Sequence, residues 1–134
     1  MKLTLLVAAA AILLPSIASA QSMNAETFYK RSQALKAKGP LAMFSQGEIK
    51  VLMTEAQNSG KAARAARLAA AASGQPPRAC PPDKSSMGAD EFMQRLGAIP
   101  LVDRKRITMT EAMTRITIAR FPCRRKHQAR RASG

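Results

Sequence analysis

Few side chains in this sequence could carry chemistry. Among 134 residues there are 2 cysteines, 1 histidine and 8 acidic side chains, against 22 Lys and Arg. Acyl transfer needs a nucleophile beside a base, usually histidine. His127 is the sole histidine, and it sits among the arginines of the C-terminal tail. A zinc site takes three or four ligands, which Cys80, Cys123 and His127 do not make up. Glycoside hydrolysis needs two carboxylates across a cleft. Here Glu48 and Glu111 fit capping positions and Asp90 and Glu91 a helix start, while Glu26, Glu55, Asp83 and Asp103 have nothing pairing them. The residues therefore point away from an enzyme, a metal site and a cofactor. Methionine is frequent in the presumed fold, at Met43, Met53, Met87, Met93, Met109 and Met113. Thioethers suit Cu(I), but the spacing places these sulfurs on inward stripes beside Ile and Leu, so core filling is the expectation.

The state of the cysteines depends on compartment, and the first twenty residues speak to that. Met1-Lys2 is a short basic start, Leu3 to Leu14 is apolar except for Thr4, Pro15 follows, and Ala18-Ser19-Ala20 is a small-x-small cleavage pattern. This is the layout of a secretory signal removed after Ala20. An apolar run of about a dozen residues falls short of the roughly twenty that span a bilayer. The expected compartment is the bacterial periplasm or beyond. An even cysteine count there implies a Cys80–Cys123 disulfide.

The elements that position these residues read as helices. Aromatics are scarce and Trp is absent, while Ala, Leu, Ile and Met supply the apolar surface. That composition suits packed helices better than strands. Asn24 caps a helix over 25–38, stopped by Gly39-Pro40, with Ala25, Phe28, Ser32 and Leu35 on one face. After the apolar turn Leu41–Phe44, Ser45-Gln46-Gly47-Glu48 has the form of a capping box. The helix behind it carries Ile49, Leu52, Met53 and Ala56 on one stripe, and Asn58-Ser59-Gly60 is a candidate break. The Ala-rich segment 61–72 is either a separate helix or an extension past Gly60. A proline-flanked, stiff loop holds Cys80. A helix from about Gly88 or Ala89 to Gly97 points Phe92 and Leu96 inward. A short turn begins at Pro100, and Thr108-Met109-Thr110-Glu111 opens a last helix that ends at Phe121-Pro122-Cys123. The expectation is all-α: a small bundle of about five short helices with one disulfide. Its organisation is a signal over 1–20, a helical domain over 21–123 and a basic disordered tail over 124–134.

The formal charge is +14. Five of those charges lie in the tail, at Arg124, Arg125, Lys126, Arg130 and Arg131, and the cluster Arg104-Lys105-Arg106 is a second concentration. One-sided charge predicts anionic partners, not a fold. No aromatic residue interleaves the tail to stack bases, so specific nucleic-acid recognition is not expected.

From Cys80 to Cys123 the chain resembles the Rap/Tai immunity protein family of bacteria. The features that carry the likeness are Cys80-Pro81-Pro82, the helix around Phe92-Met93-Gln94-Arg95-Leu96, a Pro-led segment from Pro100 to Arg106, and a last helix closing in Phe121-Pro122-Cys123. The likeness covers somewhat over a third of the chain after the signal. The half before Cys80 has no matching feature, and the heavy basic charge is no hallmark of the family. The resemblance implies a periplasmic protein, bridged through Cys80 and Cys123, that occludes a peptidoglycan amidase effector delivered by type VI secretion; it leaves room for a homodimer. Arg104, Lys105 and Arg106 are the candidate partner-binding residues. The alternative is a charge-driven binder of anionic envelope lipid or polymer.

Overall fold

A computed structural model describes residues 22–123. The proposed signal, and the tail with His127, lie outside the described residues. Within them are α1 (Ala25–Ala37), a 3-10 turn (Gly39–Phe44), α2 (Gln46–Ala72), α3 (Ala89–Ala98), α4 (Leu101–Arg104) and α5 (Met109–Arg120). The class is all-α.

α1 begins where Asn24 dictates. Its Oδ1 accepts from the Glu26 and Thr27 amides at 3.0 and 3.1 Å, as an N-cap should. Its Nδ2 donates to the carbonyls of Lys105 and Ile107, so one side chain starts a helix and holds a loop 81 to 83 residues away. The backbone continues that union. Asn24 pairs with Thr108 in an isolated antiparallel bridge. The Ala25 amide donates to Ile107 and the Met109 amide to Met23, at 3.0 and 2.7 Å. The N-termini of α1 and α5 are thereby stitched side by side. Thr108 caps α5 by accepting from the Glu111 amide at 3.3 Å.

The core lies where four helices meet. Ala25 and Phe28 come from α1, Leu52 from α2, Leu96 and Ile99 from α3 and its end, and Met109, Ala112 and Ile116 from α5. Phe92 meets Phe28 edge-on, with ring centroids 5.8 Å apart, an arrangement that aligns a positive ring edge with a negative face.

α2 is one helix of 27 residues, about 40 Å long at the usual rise, so of the two alternatives for 61–72 the extension past Gly60 holds. Asn58-Ser59-Gly60 does not break it. Ser59 is 2% exposed, and its Oγ donates back to Glu55 Oε1 at 3.0 Å. A Cβ on Gly60 would stand 3.1 Å from Met113 Cε, so the glycine gives α5 close approach. Packing against α5 overrides the local preference for a turn. The helix ends where predicted, at Ser73-Gly74. Gly74 has φ +79°, and the amides of Gly74 and Gln75 return to the carbonyls of Ala71 and Ala70. That pair of bonds is a Schellman motif, which uses glycine for its left-handed residue.

The stiff loop 73–88 is fastened to the end of α5 twice. Cys80 and Cys123 form a disulfide with Cα atoms 5.0 Å apart, and the Cys80 amide donates to the Phe121 carbonyl at 2.8 Å.

Three sequence expectations change. Ser45 makes no capping bond; its Oγ accepts from Lys38 Nζ at 2.9 Å, and Glu48 turns to another partner. Met53 leaves the inward stripe and is 57% exposed. Met43 is likewise outside, at 62%, because no other element among the described residues covers the turn that bears it.

Candidate functional site

What the fold does with charge shapes everything available to a partner. α1 directs Glu26 inward, and α4 directs Arg104 to meet it. Arg104 Nε donates to Glu26 Oε2 at 2.7 Å, with both side chains about nine-tenths buried. Arg104 Nη1 donates to the carbonyls of Gly97 and Ile99, each at 2.8 Å. The guanidinium carbon lies 4.4 Å from the centre of the Tyr29 ring, a cation–π contact. A four-residue helix that ends on the first residue of a basic triplet thus sends its arginine into the protein. Of the three candidate partner-binding residues, Arg104 fastens α1, α3 and α4, whereas Lys105 and Arg106 are exposed. The exposed Leu101 and Val102 share α4 with it, at 47% and 59%.

The remaining carboxylates are absorbed in the same manner. Arg31 clamps Glu48 with Nε and Nη2 at 2.6 and 2.7 Å, joining α1 to α2. That bidentate hydrogen bond holds the Glu48 carboxyl below the usual carboxylate range and raises the Arg31 guanidinium. Glu55 Oε1 accepts from Ser22 Oγ, the Met23 amide and Ser59 Oγ at 2.9, 2.6 and 3.0 Å. Ser22 Oγ accepts in turn from the Thr110 amide at 3.0 Å. The first described residues are therefore anchored to α2 and α5 together. Glu91 pairs with Arg95 and Arg120, and Arg115 pairs with Asp103 and Glu111.

Six of the eight acids are thus engaged within the fold. Among the described residues Asp83 and Asp90 make no ion pair, whereas Lys36, Lys38, Lys50, Lys61, Arg64, Arg78, Lys84, Lys105 and Arg106 are exposed cations with none. The folded surface is more one-sidedly basic than the composition alone implies.

Two depressions mark the surface. One, of about 520 Å³, lies between α1 and α3 and is lined by Tyr29, Gln33, Lys36, Asp90, Met93 and Gln94. The other, of about 280 Å³, lies between α3 and α5 around Ile99, Pro100 and Ile116. Neither brings a nucleophile to a base. Among the described residues no three of His, Cys, Asp and Glu gather as a metal site would require, and no helix is long and apolar enough to cross a membrane.

The most exposed large apolar side chains lie on the 3-10 turn. Leu41 is 65%, Met43 62% and Phe44 82% exposed. Sequence reading recognised this stretch as an apolar turn but not as a surface. The available signal was its length: the six residues from Gly39 to Phe44, ahead of Ser45, are too few to form a face and fold it onto a core. Comparison with known proteins adds no relative: no family model, curated protein or solved structure matches the chain.

Proposed function

We propose that this is a non-catalytic binding protein of the bacterial envelope whose partner is anionic. The disposal of its carboxylates carries the reading. Five arginines neutralise acids inside the fold, and hydroxyls and an amide take up Glu55, so the outward charge is nearly all lysine and arginine. The signal layout and the disulfide support a location in the periplasm or outside the cell, and there anionic lipid head groups and envelope polymers are the abundant acidic material. Exposed charge of one sign binds such surfaces through long-range attraction that salt screens over about 8 Å at physiological strength.

The experiment is capture from envelope extract and culture supernatant by the oxidised protein, with and without residues 124–134, at low and moderate salt. Retention of lipid or polymer that weakens as salt rises is the expected result. Absence of any retained anionic component at low salt would sink the reading.

A second reading has its own observation. Leu101 and Val102 stand exposed on α4, and the exposed Lys105 and Arg106 follow its end, inside the disulfide-closed segment from Cys80 to Cys123. An apolar patch rimmed by cations is a form that a protein-binding surface takes. On this reading the protein occludes a secreted peptidoglycan amidase, as the immunity-family resemblance implies. One protein retained at moderate salt, with and without the tail, would favour it.

A further inference from the structure

We propose that the 3-10 turn is a membrane-docking tip that inserts Leu41, Met43 and Phe44 into the head-group region of an anionic bilayer. The inference rests on the anionic-partner reading and names the surface that makes contact. In a 3-10 helix, residues three apart project from the same side, so Leu41 and Phe44 point together, with Met43 beside them. Of residues 39–44 only Ala42 is partly covered. Immediately before the turn are the exposed Lys36 and Lys38, and just beyond it on α2 is the exposed Lys50. Lys38 is held over the turn by its 2.9 Å bond to Ser45 Oγ. The acid on that stretch, Glu48, is clamped by Arg31. Apolar side chains flanked in sequence by exposed lysines, with the carboxylate of that stretch paired to Arg31, match the layering of a leaflet: negative head groups outside, hydrocarbon beneath.

Other occupants fit less well. The tail 124–134 holds no apolar residue larger than alanine, so its composition offers the tip no apolar partner. A second copy would bring two strongly basic surfaces together. A stable protein interface takes roughly 800 Å² from each partner, more than three side chains on one turn supply. A bilayer needs no complementary pocket.

The test uses the protein produced with its own leader and purified with the Cys80–Cys123 bridge formed. Vesicles of phosphatidylethanolamine with about one-third phosphatidylglycerol are compared with neutral phosphatidylcholine vesicles at about 0.15 M salt, where exposed charges are screened beyond roughly 8 Å. The chain has no Trp, so Phe44→Trp installs a single fluorescent reporter. Its emission should shift to the blue on anionic vesicles and stay unchanged on neutral ones. Replacing Leu41, Met43 and Phe44 together by Ser should weaken co-sedimentation by on the order of 100-fold or more, since each buried apolar side chain is worth roughly tenfold. Lys38→Ala should weaken it about fivefold. Thermal melts of the variants should match the parent, because these side chains lie outside the core.

Anionic vesicle binding that is unaffected by the triple Ser variant, with no blue shift, would overturn the tip and leave the charge-driven reading standing. Binding to anionic polymer but not to vesicles would overturn the tip as well. No binding to either would remove both. A blue shift without vesicles, with a dimer in sedimentation, would show instead that the tip is a self-association surface.

Discussion

Arg104 offers the sharpest check on how charge is arranged, because its neighbours in sequence serve as controls. Arg104→Met keeps much of the stem and deletes the guanidinium. It removes a 2.7 Å ion pair, two carbonyl bonds of 2.8 Å and the contact with Tyr29. It also leaves Glu26 buried, with only the more distant Lys30 at 3.9 Å in reach. Removing one member of a buried pair destabilises by about 3–5 kcal/mol, out of a total of about 5–15 kcal/mol for a domain. At a urea slope of about 1.5 kcal/mol per M, the unfolding midpoint should fall by about 2–3 M. Lys105→Ala and Arg106→Ala should stay within about 0.5 kcal/mol of the parent, as exposed residues do. Adding Glu26→Gln to Arg104→Met should restore part of the loss, since the uncompensated charge then disappears. Equal effects at positions 104, 105 and 106 would refute the reasoning, as would a double variant no more stable than Arg104→Met alone.

Four further outcomes follow from contacts of the same fold. Replacing both Cys80 and Cys123 by Ser, which opens a loop spanning 43 positions, should lower stability by about 4 kcal/mol on the loop-entropy argument, read by denaturation under oxidising conditions. Because Arg31 holds the Glu48 carboxyl below its ordinary value, the clamp's contribution is complete above about pH 4.3 and fades as pH falls through the lower folded value. The melting difference between the parent and Glu48→Gln should therefore shrink from pH 5 towards pH 3, and a constant difference would show that the clamp is not stabilising. Gly97→Ala should destabilise by about 1–2 kcal/mol, because its Cβ would stand 3.0 Å from the hydroxyl and 3.2 Å from a ring carbon of Tyr29, which is packed against Arg104. Gly60→Ala should be neutral or stabilising by up to about 1 kcal/mol, because it meets the flexible end of Met113 and gains helix propensity; melting of both variants checks the contrast.

Local chemistry was legible wherever a residue acts on its own neighbourhood. The class was readable from composition. Asn24 caps α1, Gly39-Pro40 ends it, Thr108 starts α5 and Ser73-Gly74 closes α2, because each effect runs over three or four residues. The disulfide was readable because two cysteines permit one intramolecular pairing. Tertiary structure decided what depends on partners distant in sequence. Ser45 and Glu48 have the spacing of a capping box, yet Arg31, 17 positions away, binds Glu48 more strongly than a backbone amide would. Asn58-Ser59-Gly60 has the composition of a turn, yet packing on α5 and the bond to Glu55 carry α2 through it. Within Arg104-Lys105-Arg106 the three cations are indistinguishable as a string of letters. Only the position of Glu26, 78 residues earlier, selects the one that turns inward. The sequence by itself thus determined how much positive charge the protein carries. Which of those charges face solvent, and that an apolar turn stands uncovered among them, was settled by the packing of helices against one another.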